Sequence, residues 1–81
     1  MQKVHHIIGA DLSKRTIDLL DQTTKSNLNI KNDLEGFKTL LSWIKHQRIN
    51  HSELMIVMEH TGLYSFCFEG FLHKHQIRRH Q

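Results

Sequence analysis

A chain of 81 residues allows one small domain at most, and a domain of that size buries only about 60 to 65% of its unfolded surface, so its core is thin. Hydrophobic residues make up 38% and charged residues 23%, which excludes the disordered class; Lys and Arg exceed Asp and Glu by 11 to 8, a net charge of +3 compatible with nucleic-acid contact. No apolar run exceeds the five residues of LMIVM, which excludes a helix of the roughly 20 apolar residues a bilayer needs, and the start MQKVHHIIGADL lacks a secretory pattern, so a cytoplasmic protein is expected.

Residues 4–10 are almost continuously apolar apart from His5 and His6, the pattern of a strand buried on both faces in mid-sheet, and the strand ends at Asp11. The polar stretch LSKR turns the chain into a second strand over 16–21, with Ile17 and Leu19 on one face. After a further turn, DQTTKS, the stretch NLNIK alternates strictly, Leu28 and Ile30 pointing one way and Asn27, Asn29 and Lys31 the other. These three strands read as an antiparallel meander with a solvated third edge. Asn32 is a good N-cap, with Glu35 placed to bond back to it as in a capping box. The steps of three and four between Leu34, Phe37, Leu40, Leu41 and Ile44 predict a helix over about 33–47, with Trp43 at the margin of its apolar stripe. RINHSE then loops into LMIVM, a fourth strand of the kind covered on both faces, which ends at Glu59. Thr61 is a fair N-cap for a second helix over about 62–75, with Leu63, Phe66, Cys67, Gly70 and Phe71 along one face. The tail HQIRRHQ is basic and carries no predicted element. A right-handed crossover in this β-β-β-α-β-α order places the fourth strand parallel to and beside the first, giving an α/β fold with sheet order 3-2-1-4.

Few residues carry chemistry by position. Cys67 has no internal partner and, between two Phe, reads as a buried small hydrophobe. The eight His fall into no C-x-x-C or H-E-x-x-H spacing and read as solvated side chains rather than a zinc site. Asp11 and Glu59 each follow a strand, and if those strands are parallel neighbours about 4.8 Å apart, the two carboxylates meet at one sheet edge. Such a pair suits Mg²⁺, which takes one or two carboxylates with water and phosphate oxygens. The competing account is that Asp11 starts a turn and Glu59 complements a helix dipole. Asp18, Asp21, Asp33, Glu35, Glu53 and Glu69 read as strand-end, helix-start or solvated acids.

The words GADLSKRTIDL, NDLEGFKTLLSWI and MIVMEHTGLYSFCFEGFL, in that order and over nearly the whole chain, resemble the N-terminal RuvC-like domain of DEDD-type transposases of the insertion sequence 110 group. The most specific word is MEHTGLYS, close to the family's Glu-(Ala or Ser)-Thr-Gly-x-Tyr pattern. Asp11 in a Gly-x-Asp-x-Ser-(Lys) setting and the N-x-x-x-G-F opening of the first helix support it. His60 departs from the small residue usual after the Glu.

The resemblance implies an RNase H-like fold and a Mg²⁺ centre of four acids, with Asp11 the first and Glu59 the second, that cuts and joins DNA. In some members a structured guide RNA encoded by the element directs the reaction. On this reading residues 1–81 are the N-terminal part of the catalytic domain, truncated before the fifth strand, inactive alone and weak in metal binding. The other two aspartates and a domain with a nucleophilic serine lie outside it. Ser13 and Ser65 read as local caps. Lys14 and Arg15, beside Asp11, are candidate phosphate contacts, and Lys74, Arg78 and Arg79 mark a frayed end. A missing fifth strand would leave the fourth with an exposed apolar edge and the sheet with one bare face, so a homo-oligomer formed by edge contact or element exchange is expected. Two other readings stand beside this one. A fragment of an actin-like or sugar-kinase ATPase wants Gly in its phosphate turn, and DLSKRT has none. A non-catalytic interaction domain would keep the fold alone.

Overall fold

The computed structural model of the protein describes residues 4–58 and 62–80. In chain order it contains β1 (His6–Leu12), β2 (Thr16–Asp21), β3 (Asn27–Lys31), α1 (Leu34–His46), a single 3-10 turn at His51–Glu53, β4 (Leu54–Met58), α2 (Phe66–Lys74) and β5 (Arg78–His80). The strands form one mixed sheet in the order β3-β2-β1-β4-β5. β1 is antiparallel to β2 and parallel to β4, with Ile8 opposite Asp21 on one side and Ile56 on the other. The α/β architecture is therefore the partial RNase H-like arrangement read from the sequence, extended by one strand.

Strand alternation sends Ile8 and Ala10, Ile17 and Leu19, Ile30, and Leu54, Ile56 and Met58 to one face of the sheet. Phe37, Leu40 and Ile44 of α1 and Phe68 and Leu72 of α2 complete the core there. Phe37 joins the two helices, its ring 5.4 Å from that of Phe68 and 5.2 Å from that of Phe71 in tilted geometry. On the opposite face Ile7 and Leu20 are exposed and Met55 and Val57 only half-buried. β1 and β4 are thus not covered on both faces, as their continuous apolar runs suggest; the bare sheet face expected from the sequence is present.

The helices start later than their patterns predict. Asp33, not Asn32, caps α1: its Oδ1 accepts the Gly36 N–H at 2.9 Å, and Leu34 at the first helical position is exposed. α1 also runs hard against the end of β3, where a Cβ on Gly36 would lie 1.8 Å from the Lys31 carbonyl oxygen. α2 begins at Phe66 and is rotated from the predicted stripe: Phe68 and Leu72 are buried, while Leu63, Phe66 and Cys67 are exposed. Apolar residues occur on every side of this short helix, so spacing alone does not select the face. Cys67 is accordingly not a buried hydrophobe. The expected cap Thr61, like His60, lies outside the described residues.

The basic tail is structured. Ile77 is buried, and Arg78–His80 pair with β4 in parallel, Met55 opposite Arg78 and Val57 opposite His80. The fourth strand's edge, expected to be free for pairing with another copy, is occupied by β5. Arg79 Nε lies 3.5 Å from Glu69 Oε1, so Glu69 ties α2 to β5 rather than standing in solvent. The two helices end alike. Arg48 and Gln76, each just past a C-cap, have φ of 59° and 58°. The next N–H groups, of Ile49 and Ile77, donate to the carbonyls of Ile44 and Leu72 at 3.1 and 2.9 Å, and both Ile side chains are buried. This is the Schellman arrangement with its apolar anchor, built without glycine.

Asp21 ends β2 and is fully buried. Its Oδ1 accepts the N–H groups of Thr23 at 2.8 Å and Thr24 at 3.3 Å, closing the turn into β3. Its Oδ2 has no hydrogen-bond partner among the described residues, with His6 Nε2 at 3.8 Å as an ionic neighbour.

Three outcomes are expected in urea denaturation. Gly36→Ala loses about 2 kcal/mol or more, because backbone rather than a flexible side chain occupies the site. Arg48→Gly and Gln76→Gly each gain about 0.5–1 kcal/mol by relieving a left-handed residue. Asp21→Ala, which removes both turn bonds, costs about 1–2 kcal/mol more than Asp21→Asn, which keeps the accepting oxygen.

Candidate functional site

Asp11 is not a turn residue. β1 continues through it to Leu12, and it stands directly opposite Asp18 of β2. β4 last pairs with β1 at Met58 opposite Ala10, so Asp11 is the first β1 position beyond that ladder. Both neighbours of Asp11 alternate toward the helices, and its own carboxylate is exposed on the bare face. There it lines a shallow depression of about 510 Å³ together with Asp18, Gly9, Leu20 and Val57. Glu59, the second candidate ligand, lies outside the described residues; it follows Met58 in sequence, as Asp11 follows Ala10.

Asp18, expected from the sequence to be a strand-end acid, is the one that the structure brings to Asp11. Hairpin symmetry was the available signal, since a turn centred on Lys14 and Arg15 necessarily pairs position 11 with position 18. One Asp18 oxygen also accepts from the Asn29 amide across the β2–β3 ladder. Among the described residues no three His, Cys, Asp or Glu side chains converge as metal ligands do.

The turn after Asp11 is held tightly. The Ser13 hydroxyl lies 2.9 Å from the Thr16 carbonyl, to which it donates, and accepts the Thr16 N–H at 3.2 Å, a local tie as its sequence position suggested. Lys14 and Arg15 are exposed between them. Asn32 then fastens this turn to the rest of the molecule. Its backbone N–H donates to the Arg15 carbonyl at 2.8 Å, and its side-chain amide donates to the Ser13 carbonyl at 2.8 Å and the Tyr64 carbonyl at 2.9 Å. The residue expected to cap α1 instead joins the β1–β2 turn to the segment before α2. No local pattern announces that bridge, because its partners are 19 and 32 residues away.

Ser65 is buried and engaged by its own loop. Its Oγ accepts the Gly62 N–H at 3.2 Å and lies 3.0 Å from both the Gly62 carbonyl and Glu69 Oε2, to either of which it can donate. Gly62 has φ of 149°, a backbone setting that glycine adopts without penalty. A hydroxyl held in this way is a loop tie rather than an exposed nucleophile.

At this end of the sheet, then, an open carboxylate pair, two exposed cations and the loop before α2 are gathered into one region. No family model matches the chain. It is similar to the pilin gene-inverting proteins of Moraxella bovis and Moraxella lacunata, 36% identical to each over 74 residues. The matched stretch is 86% of this chain and 23% of each relative, so the chain spans about a quarter of the length of the curated proteins it matches.

Proposed function

We propose that this chain is the N-terminal part of the catalytic domain of a DNA recombinase of the insertion sequence 110 transposase type, in which Asp11 and Glu59 are two of the acids that hold Mg²⁺. The observation that carries the reading is the parallel β1–β4 register. With Ala10 opposite Met58, the residues that follow these two in sequence are the two acids of the motif words. The similarity to two proteins named for inverting a pilin gene supports DNA rearrangement as the setting.

The residues present fit the ion. Asp11 offers hard carboxylate oxygens on an open face, and Mg²⁺ commonly completes so sparse a protein donor set with water and phosphate oxygens. When bound, the ion supplies Lewis-acid stabilisation to phosphate oxygens as a strand is cut. The chain's own contribution is placement. β1 holds Asp11 in its ladder with β2, one residue past the last pair with β4, and the exposed Lys14 and Arg15 hold DNA phosphates beside it without reading sequence. A structured RNA that selects the target, as in the transposases this chain resembles, belongs to the same proposal.

Asp11→Asn and Glu59→Gln, each introduced into the full-length recombinase that carries this sequence, are expected to lower recombination of a plasmid reporter about a hundredfold or more at unchanged expression. Recombination at the unsubstituted level would overturn the metal role of the pair.

A further inference from the structure

Asn32 holds two loops whose exposed residues are of complementary kinds. Its single amide nitrogen donates to both Ser13 and Tyr64, so the two carbonyls lie within two hydrogen-bond lengths of each other. One loop exposes Lys14 and Arg15. From the other side come Tyr64, 50% exposed, and Phe66, 80% exposed at the first turn of α2. Phe66 contributes almost none of the burial that makes a phenylalanine stabilising, while its neighbour Phe68 supplies the core contact. Two exposed aromatic rings on a chain segment tied to a loop with two exposed cations match the chemistry of a strand of unpaired nucleotides, which presents flat π-faces at intervals along a polyanion. A duplex hides its base faces, and a purely apolar partner has no use for the cations.

We propose that Tyr64 and Phe66 form a stacking platform for unpaired nucleotides, with Lys14 and Arg15 on the phosphates and Asn32 as the positioning residue that keeps the two loops together. The inference deepens the DNA-recombinase reading and rests on it for the ligand class. Cutting a strand frees ends whose bases can unpair, and this surface is joined to Asp11 through the turn at Ser13.

The test is fluorescence anisotropy of the 81-residue chain with labelled single strands of DNA and of RNA of one sequence, and with the matching DNA duplex. EDTA is present throughout, so that binding is read independently of the metal site. Single strands are expected to bind more tightly than duplex, and the DNA and RNA arms show which sugar is preferred. Tyr64→Ala and Phe66→Ala each weaken single-strand binding about tenfold and leave its salt dependence unchanged. Phe66→Trp retains binding and Phe66→Leu, equally apolar but unable to stack, does not. Replacing Lys14 and Arg15 together by Gln lowers the slope of log affinity against log salt by about 1.4. Asn32→Ala weakens binding although it removes neither ring nor charge, with the circular dichroism spectrum retained. Equal affinity for duplex and single strand, or aromatic variants that bind like the parent, overturns the platform. So does a patch whose substitution alters only self-association in sedimentation, which would assign it to protein contact. None of these outcomes bears on Asp11 and Glu59, and a failed recombination test leaves the binding result standing.

Discussion

Hydrogen bonding on both edges of β1, antiparallel to β2 and parallel to β4, is the constraint from which the rest of the structure follows. An antiparallel neighbour is reached by a tight turn, but a parallel one requires the chain to travel back along the sheet before it can re-enter. α1 makes that journey: its 13 residues span about 20 Å, the length of a strand of six, and it lies across the face where β1, β2 and β4 place their large side chains. The return has to begin immediately after β3, which is why the helix meets the Lys31 backbone so closely that only a glycine fits at position 36.

The same alternation that builds the core decides where each acid goes. Ile8 and Ala10 face the helices, so Asp11 between Ala10 and Leu12 faces away. In β2 the parity is set by Ile17 and Leu19, which sends Asp18 out beside Asp11 and turns Asp21 inward at the strand's far end. A buried carboxylate there is tolerated because the turn that follows supplies two N–H groups to one of its oxygens. Strand parity thus separates an acid that faces open space from one held inside the fold, although the two are only ten residues apart.

What could be read in advance follows from how local the governing interaction is. The bounds of β2, β3 and β4 were legible because alternation and turn chemistry act within a few residues, and the stripe of Phe37, Leu40 and Ile44 identified α1 from its own period. The cap of α1 moved by one residue because Asn32 and Asp33 are chemically equal caps, and a distant demand for the Asn32 amide decided between them. The apolar content of α2 locates the helix but does not select its buried face, since Leu63, Phe66 and Cys67 are as apolar as Phe68 and Leu72; only contact with the sheet sorts them. The fifth strand escaped because three polar residues show no hydrophobic period. Its one cue was Ile77, which repeats after α2 what Ile49 does after α1. Around Asp11, the pairing with Asp18 is legible only through hairpin geometry and the Asn32 bridge not at all.

That bridge has a consequence in the arithmetic of hydrogens. An amide nitrogen carries two, and at Asn32 both are committed, one to each loop. Aspartate has the same shape but would set oxygen against two carbonyls, and serine or threonine has a single hydrogen to give. The junction is therefore isosteric with residues that cannot perform it, and its tolerance is chemical rather than spatial. With one hydrogen on the turn after Asp11 and the other on the chain leading into α2, the two loops share a single atom as their joint.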